Sequence, residues 1–461
     1  MSSLRRSGRW GALLLVTGLP WLSACTAPSG LPDVVPMAGL PPSRPPERFL
    51  WGVAVAGHQV EGGAAPSQWR EWEKAGRVPD RSRPHLGGWW RWREDLALAK
   101  RMGLTAYRFG VEWARVEPSP DAWDDRALAR YAAMAREARR LGMRPIVTLM
   151  HFTYPAWLDQ ADFYGRRGWE RRDAPERFAR YAARVARALA PEDPLWLTLN
   201  EPTMMAYKGY VDGQFPPGER SPWKGLLVLG RLLQGHVLAR EVLKQVHPGA
   251  LVGFTHYMLA MHPFSVSPLE PGDIGKPLPK VPFGPLEPDL WLMGLLEPRA
   301  LAEVDFLGLD AYTAVSLARP DPGPYARWPV VPHGLREAAR RAWHHVGRKP
   351  LLFTENGMAT EDGRPRKDGW SRSAHLVAHV RMVEELKRSG VPVWGYCHWT
   401  LYDNWEWGSR VPRFGLYAAE PGDHDGIRRP TAAVGTYARI VREGGVGTAL
   451  VQDVLRQLKV P

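Results

Sequence analysis

The chain has 461 residues, of which 44% are hydrophobic and 24% are charged. These proportions are typical of a globular protein and exclude an intrinsically disordered chain. The formal net charge of +13 would suit nucleic acid, but most of the excess is Arg spread along predicted helices, as in RWRED and REARR. We therefore interpret the charge as an Arg-rich, solvated surface and expect no nucleic-acid partner.

The first 25 residues predict an exported protein. Arg5, Arg6 and Arg9 precede the apolar run GALLLVTGLPWL, which is too short to span a bilayer. The following letters LSAC, ending at Cys25, resemble the lipobox of bacterial lipoproteins, in which the cysteine is lipidated. We predict a signal peptide over residues 1–24 and membrane anchoring through Cys25. The alternative is an ordinary signal peptide with an incidental cysteine.

A tether and one large domain follow the signal peptide. Residues 25–46 contain the lipidated Cys and a Pro-rich stretch without helical or strand periodicity, which predicts an extended tether. From Phe49 onward, short apolar runs alternate with long amphipathic stretches, the pattern of repeated βα units. With only Cys25 and Cys397 present, no intramolecular disulfide framework is expected, and Cys397 is interpreted as an inert buried thiol.

Eight strands are predicted in chain order. They are Phe49–Ala56, Thr105–Glu112, Arg144–His151, Leu195–Asn200, Ala250–Thr255, Asp305–Tyr312, Pro350–Thr354 and Pro392–Thr400. Predicted helices between them include Trp90–Met102, Asp125–Leu141, Glu176–Leu189, Leu226–Val246, Leu335–Val346 and Ser373–Ser389.

The Pro- and Gly-rich stretch from His262 to Pro298 is predicted to be an elaborated loop without a helix. The fold class is therefore α/β, with residues 47–461 as a single (β/α)8 TIM barrel with elaborated βα loops.

Polar side chains stand at the ends of several predicted strands. In a (β/α)8 barrel these positions face the active site. Glu201 follows the fourth strand and Glu355 follows the seventh, so the two carboxyl groups lie on roughly opposite sides of the barrel mouth. Paired carboxyl groups beside Trp, His, Asn and Gln are suited to glycoside hydrolysis, in which one is protonated and the other ionised. Spacing alone leaves the stereochemistry open.

Several motifs resemble glycoside hydrolase family 1, the β-glucosidase type. They are FLWGVAVAGHQVEG, YRFGVEWARVEP, HFTYPAWL, TLNEP, DFLGLDAYT, FTENG, HWTLYDNWEW and RFGLY. The resemblance covers nearly the whole mature chain. It implies a retaining β-glycosidase that hydrolyses nonreducing terminal β-linked glucosyl residues, with galactosyl or fucosyl residues as further candidates. The resemblance implies no metal or other cofactor.

The resemblance also implies roles for individual residues. Glu201 of NEP matches the acid/base and Glu355 of ENG matches the nucleophile. Arg108 matches the cation beside the nucleophile, and Tyr312 matches the Tyr that hydrogen-bonds it. The positions that hold the nonreducing sugar in the family are matched by Gln59, His151, Asn200, Trp399, Glu406 and Trp407.

One position departs from the family, because Asp310 stands where the family usually has Asn, two residues before Tyr312. A carboxylate there is expected to raise the pKa of Glu355 unless a cation offsets it. Two alternatives to hydrolysis stay open from the sequence. One is a carbohydrate-binding lipoprotein without turnover, and the other is a transglycosidase of the same fold. The oligomeric state stays open as well.

Overall fold

Eight parallel strands form the centre of the computed structural model, which describes residues 35–458 except 64, 83–85, 259, 265, 282–286, 318–321 and 420–425. The strands are β1 Leu50–Ala54, β2 Ala106–Gly110, β3 Arg144–Met150, β4 Leu195–Leu199, β5 in two halves Leu251–Gly253 and Thr255–Tyr257, β6 Leu307–Asp310, β7 Leu351–Asn356 and β8 Val393–Trp399. They confirm the predicted strands, with boundaries shifted by one or two residues at most ends. The predicted signal peptide and Cys25 lie outside the described residues.

The sheet closes on itself through the two halves of β5. Strand β4 pairs with Leu251–Gly253, and β6 pairs with Thr255–Tyr257, while β8 pairs with β1 on the opposite side. Every pairing in the ring is parallel, so the carboxyl ends of all eight strands meet at one end of the barrel. The predicted (β/α)8 barrel is thus confirmed.

One helix follows each strand and packs around the barrel. These helices are α1 Gly88–Arg101, α2 Asp125–Arg140, α3 Ala174–Leu189, α4 Pro222–Val246, α5 Pro288–Leu296, α6 Pro332–His345, α7 Arg372–Arg388 and α8 Ala432–Glu443. Additional helices are Gly57–Val60, Gln68–Lys74, Trp113–Val116, Pro202–Tyr210, Pro298–Ala302 and Thr448–Leu458. Within the described part of the chain, none of these helices has the length and apolar character needed to cross a bilayer.

Helix α2 illustrates how the sequence encodes these elements. Asp124 caps its start, because a carboxylate oxygen accepts hydrogen bonds from the backbone N–H groups of Arg126 and Ala127, both at 2.9 Å. Leu128 and Tyr131 lie on the buried face of the helix. Basic side chains in its last turn complement the negative end of the helix dipole.

Helix α5 corrects the prediction of a loop without a helix between His262 and Pro298. Its sequence is PDLWLMGLL, and Leu290 and Met293 are buried. The initial Pro288 occupies the first helical position, where the missing N–H would have no partner in any case. Pro288 therefore marks the beginning of a helix within the Pro- and Gly-rich stretch.

The described part of the predicted tether packs against the amino-terminal end of the barrel. The hydroxyl of Ser43 donates to Asp193 just before β4, at 2.5 Å. His247, just before β5, contacts the carbonyl oxygen of Pro41 at 2.8 Å. Residues 35–46 therefore run across the end of the barrel that lies opposite the carboxyl ends of the strands.

The first half of β5 has room only for glycine at its last position. A Cβ atom on Gly253 would lie 2.2 Å from the carbonyl oxygen of Phe306, which belongs to fixed backbone. Overpacking of this kind costs about 1–3 kcal/mol. We expect Gly253→Ala to lower the free energy of unfolding by that amount, as measured by urea denaturation.

The control is Gly230→Ala in the middle of α4, where a Cβ would meet no atom within 4 Å. Since alanine favours helix by about 1 kcal/mol over glycine, this variant should be at least as stable as the parent chain. Equal stability of the two variants would contradict the close approach at Gly253.

Candidate active site

Glu201 stands at the carboxyl end of β4, between the strand and the helix Pro202–Tyr210. Its backbone has φ 42°, in the left-handed region that residues other than glycine rarely adopt. The backbone N–H donates to the hydroxyl of Thr255 at 3.1 Å and to the carbonyl oxygen of Thr255 at 3.2 Å. Strained backbone of this kind persists where surrounding contacts hold it, and such positions cluster at functional sites.

Glu355 lies near the end of β7 and is held from two sides. Its Oε1 atom accepts a hydrogen bond from Nη1 of Arg108 at 2.6 Å, and its Oε2 atom accepts one from the hydroxyl of Tyr312, also at 2.6 Å. All three side chains are at least nine-tenths buried. Both carboxylate oxygens are thereby fixed in position by charged or hydroxyl donors.

Arg108 also orients Asn200. Its Nη2 atom donates to Oδ1 of Asn200 at 2.5 Å, and its Nε atom donates to the hydroxyl of Thr148 at 3.1 Å. With Oδ1 turned toward the guanidinium, the Nδ2 amide of Asn200 is buried and has no hydrogen-bond partner among the described residues. Buried polar groups nearly always have a partner, so this amide is available to a ligand.

Asp310 adds a third carboxyl group to the pocket. Its oxygens accept hydrogen bonds from the hydroxyls of Thr255 at 2.5 Å and Thr354 at 2.7 Å. Its Oδ1 atom is 3.6 Å from Nη1 of Arg108. One oxygen from each of Glu201, Asp310 and Glu355 lies within 4.8 Å of the other two. Three carboxyl groups therefore share this space with the Arg108 guanidinium.

Burial raises the pKa of each carboxyl group, and neighbouring carboxyl groups add to the rise for Glu201 and Glu355. Burial is the main cause of the rise in the pKa of Glu201, well above its ordinary value, and Asp310 and Glu355 add to it. For Glu355, burial and the neighbouring Asp310 raise the pKa to about 8, against the opposing effect of Arg108. Burial holds the pKa of His151 well below its ordinary value, so this side chain is neutral.

A second cluster of polar side chains lies beside Trp399, whose ring is nearly parallel to that of His151. The Nε2 amide of Gln59 donates to Oε2 of Glu406 at 3.2 Å and to Oδ1 of Asn404 at 3.1 Å. The indole N–H of Trp399 donates to Oε1 of Glu406 at 3.1 Å. Oε1 of Gln59 is buried without a partner in the described part of the chain. This side of the pocket thus presents an acceptor and a carboxyl group to a polyhydroxylated ligand.

Aromatic rings connect the two polar groups. The ring of His151 lies nearly parallel to those of Trp399 and Trp407, with centroid distances of 5.8 and 5.7 Å. Its Nε2 atom is 4.0 Å from Oε1 of Glu355. The peptide bond between Trp399 and Thr400 is cis. Flat aromatic faces beside hydroxyl-binding groups are suited to the apolar faces of sugar rings.

The structure brings every predicted site residue of the described chain into one connected network. Its members are Gln59, Arg108, His151, Asn200, Glu201, Tyr312, Glu355, Trp399, Glu406 and Trp407. No role was predicted from the sequence for Thr148, Thr255, Thr354 or Asn404, which position these groups by hydrogen bonds. The position of Thr255 and Thr354 near the ends of their strands was the available signal for two of them.

The family model described as glycosyl hydrolase family 1 matches residues 42–272 and 302–446. The chain belongs to glycosyl hydrolase family 1. It is an O-glycosyl hydrolase with a (β/α)8 barrel.

Curated relatives cover most of the chain. Beta-glucosidase A of Thermotoga maritima is 26% identical over 87% of this chain and 98% of its own length. A bifunctional β-D-glucosidase/β-D-fucosidase of Bifidobacterium breve is 28% identical over 80% of this chain and 93% of its own. A β-galactosidase of Pyrococcus woesei is 26% identical over 89% and 99%, respectively.

Solved structures show the same likeness. The Thermotoga maritima β-glucosidase in complex with castanospermine aligns with a TM-score of 0.73 and 25% sequence identity. The alignment covers 87% of this chain and 99% of that one.

Asp310 is expected to affect the pH dependence of turnover, because it raises the pKa of Glu355. In Asp310→Asn the like charge beside Glu355 is removed, so the pKa of Glu355 falls and its ionised form persists to lower pH. We expect the acidic limb of the kcat/KM profile to move down by about one to two pH units, the size of a like-charge interaction at this separation.

The control for this profile is Asp305→Asn, at the opposite end of the barrel, where the carboxylate pairs with Lys244 at 2.8 Å. It should leave the acidic limb where the parent enzyme has it. Coincident acidic limbs in Asp310→Asn and the parent enzyme would show that Asp310 does not control the titration of Glu355.

Proposed function

We propose that the protein is a retaining β-glycosidase that removes nonreducing terminal β-linked glucosyl residues, with galactosyl and fucosyl residues as further substrates. The observation that carries the proposal is the unequal environment of two neighbouring carboxyl groups. Burial raises the pKa of both, but Arg108 and Tyr312 contact Glu355 directly and oppose the rise there. For Glu201, Asp310 and Glu355 add to the effect of burial and raise its pKa well above its ordinary value. A pair of this kind supplies one ionised nucleophile and one protonated acid.

In the first step, Glu201 gives its proton to the glycosidic oxygen while Glu355 attacks the anomeric carbon. The bond to the aglycone breaks, the aglycone leaves as an alcohol, and the sugar becomes bonded to Glu355 with inverted configuration. In the second step, ionised Glu201 takes a proton from water, the water oxygen attacks the anomeric carbon, and Glu355 is released. Two inversions give net retention.

Unpartnered buried atoms support a sugar as the ligand. The Nδ2 amide of Asn200 can donate to a hydroxyl beside the reacting centre, such as the sugar 2-OH, and Oε1 of Gln59 can accept from another. Glu406 can accept from two hydroxyls. A carboxyl group at Glu406 also disfavours a phosphorylated sugar, because an ionised form would repel the phosphate. Relatives named for glucosides, galactosides and fucosides support the range of glycones.

The two roles are tested by alanine variants assayed with a nitrophenyl β-glucoside and azide. We expect Glu355→Ala to lose at least about a thousandfold in kcat, since the covalent intermediate cannot form. Added azide should then occupy the vacated space, attack from the opposite face and give the α-glucosyl azide. In Glu201→Ala, azide should trap the glycosyl-enzyme and give the β-glucosyl azide.

Glu361→Ala is the matched control, because Glu361 is exposed and follows the same strand. It should retain full turnover. Glucosyl azides of the same anomer from both active-site variants would contradict the assignment of roles. For the parent enzyme, an α anomer as the first product seen by NMR would refute retention.

We propose separately that the protein is exported and anchored to a membrane by a lipid on Cys25. The lipobox-like letters LSAC support this localisation. The segment that follows runs across the amino-terminal end of the barrel, where Ser43 contacts Asp193. An anchor leading to that end would direct the active-site mouth away from the membrane.

Lipidation is tested by labelling a bacterial expression host with radioactive palmitate. The full-length chain should incorporate label and sediment with membranes, whereas Cys25→Ser should carry no label and remain unprocessed. Cys397→Ser controls for the loss of a thiol elsewhere and should be labelled like the parent. Equal labelling of the Cys25→Ser variant would rule out the anchor.

A further inference from the structure

A buried cluster of ionisable groups lies on the outer side of β5, facing away from the active site. Thr255 and Tyr257 point into the barrel, where Thr255 bonds to Asp310 and Tyr257 stacks against Tyr312. Because side chains alternate along a strand, His256 between them points outward, toward α5. This cluster is separate from the proposed glycosidase chemistry.

Two acidic residues at the start of α5 converge on the imidazole ring of His256. Glu287 immediately precedes the helix, and Asp289 is in its first turn. Nε2 of His256 is 3.5 Å from Oε2 of Glu287, and Nδ1 is 3.3 Å from Oδ2 of Asp289. The side chains of His256 and Glu287 are fully buried, and that of Asp289 is 17% exposed.

Most polar atoms of this cluster lack a well-formed hydrogen bond, since the contact between His256 and Glu287 is long, at 3.5 Å. Both ring nitrogens of His256, both oxygens of Glu287 and Oδ1 of Asp289 have no hydrogen-bond partner among the described residues. Buried polar groups are rarely left in this state, because a donor or acceptor that has lost its water and gained no partner is destabilising. An occupant that contacts all three side chains would satisfy them together.

Charge balance indicates which occupant fits. Two carboxylates carry two negative charges, and a protonated imidazole would neutralise only one of them. A divalent cation with a neutral imidazole neutralises both. A bound cation would keep both acids ionised, as ligands must be.

The distances suit a small ion with mixed nitrogen and oxygen ligands. Two ligand atoms about 2.0–2.1 Å from a tetrahedral zinc ion are about 3.4 Å apart. One ligand atom from each of His256, Glu287 and Asp289 already lies within 4.8 Å of the other two. Each acid now flanks a different ring nitrogen, so one carboxylate must turn toward the nitrogen that binds the ion. The exposed edge of Asp289 leaves space for water as the fourth ligand.

We propose that His256, Glu287 and Asp289 bind one divalent transition-metal ion, with Zn²⁺ as the best chemical fit. The ion has a structural role, because it joins the start of α5 to the outer side of β5. It thereby holds in place the strand whose inner side carries Thr255 and Tyr257. The site lies on the far side of the strand from the reacting carboxyl groups and takes no part in bond cleavage.

The test uses the full chain, stripped with EDTA and titrated with Zn²⁺ by calorimetry. We expect one saturable Zn²⁺ per chain and a rise in Tm of about 3 °C when free Zn²⁺ is 100-fold above Kd. Co²⁺ in place of Zn²⁺ should show the visible absorption of a tetrahedral site. Glu287→Gln and Asp289→Asn, which preserve side-chain shape, should abolish the stoichiometric binding and the Tm rise.

His344 and His345 on α6 are exposed neighbours that could bind Zn²⁺ at the surface. The double variant His344→Asn/His345→Asn is therefore the control and should retain the site. Absence of stoichiometric binding to the parent chain, or unchanged binding in Glu287→Gln, would overturn the proposal. The result is independent of turnover, since Glu355→Ala should bind Zn²⁺ like the parent chain.

Discussion

The buried guanidinium of Arg108 is the group on which the active site depends. It contacts Glu355 at 2.6 Å and lies 3.6 Å from Asp310, so one cation is shared by two carboxyl groups. A further donor holds Asn200 in the orientation that leaves its amide unpartnered. Removing a cation from such a buried cluster would leave uncompensated charge, which is strongly destabilising. The same side chain therefore stabilises the fold and sets the charge state of the pocket.

Closure of the barrel brings these groups together. Arg108 on β2 and Glu355 on β7 are 247 residues apart in sequence, yet their side chains are in contact. Parallel strands with their carboxyl ends at one end of the ring make this possible without any long connecting segment inside the barrel. The surrounding helices bury the network, and burial raises the pKa values of the carboxyl groups.

Strand β5 links the inner and outer parts of the molecule. Its division into two halves lets it pair with both β4 and β6 and so close the sheet. The alternation of its side chains sends Thr255 inward to Asp310 and His256 outward to the acids of α5. His256 of the outer cluster is therefore the residue next to Thr255, whose hydroxyl contacts both Asp310 and the backbone N–H of Glu201.

Local periodicity and short motifs were enough to predict the eight strands, most helices around them, and the placement of Glu201 and Glu355 at strand ends. The prediction of a loop between His262 and Pro298 was wrong at α5, because the Pro- and Gly-rich composition of the stretch hides the short helix within it. Other contacts are visible only in the folded chain: Thr255 and Thr354 hydrogen-bond to Asp310, Asn404 supports Gln59, and residues 35–46 pack on the barrel. These contacts depend on the register between strands and on the closure of the ring, which bring together side chains that no local pattern relates.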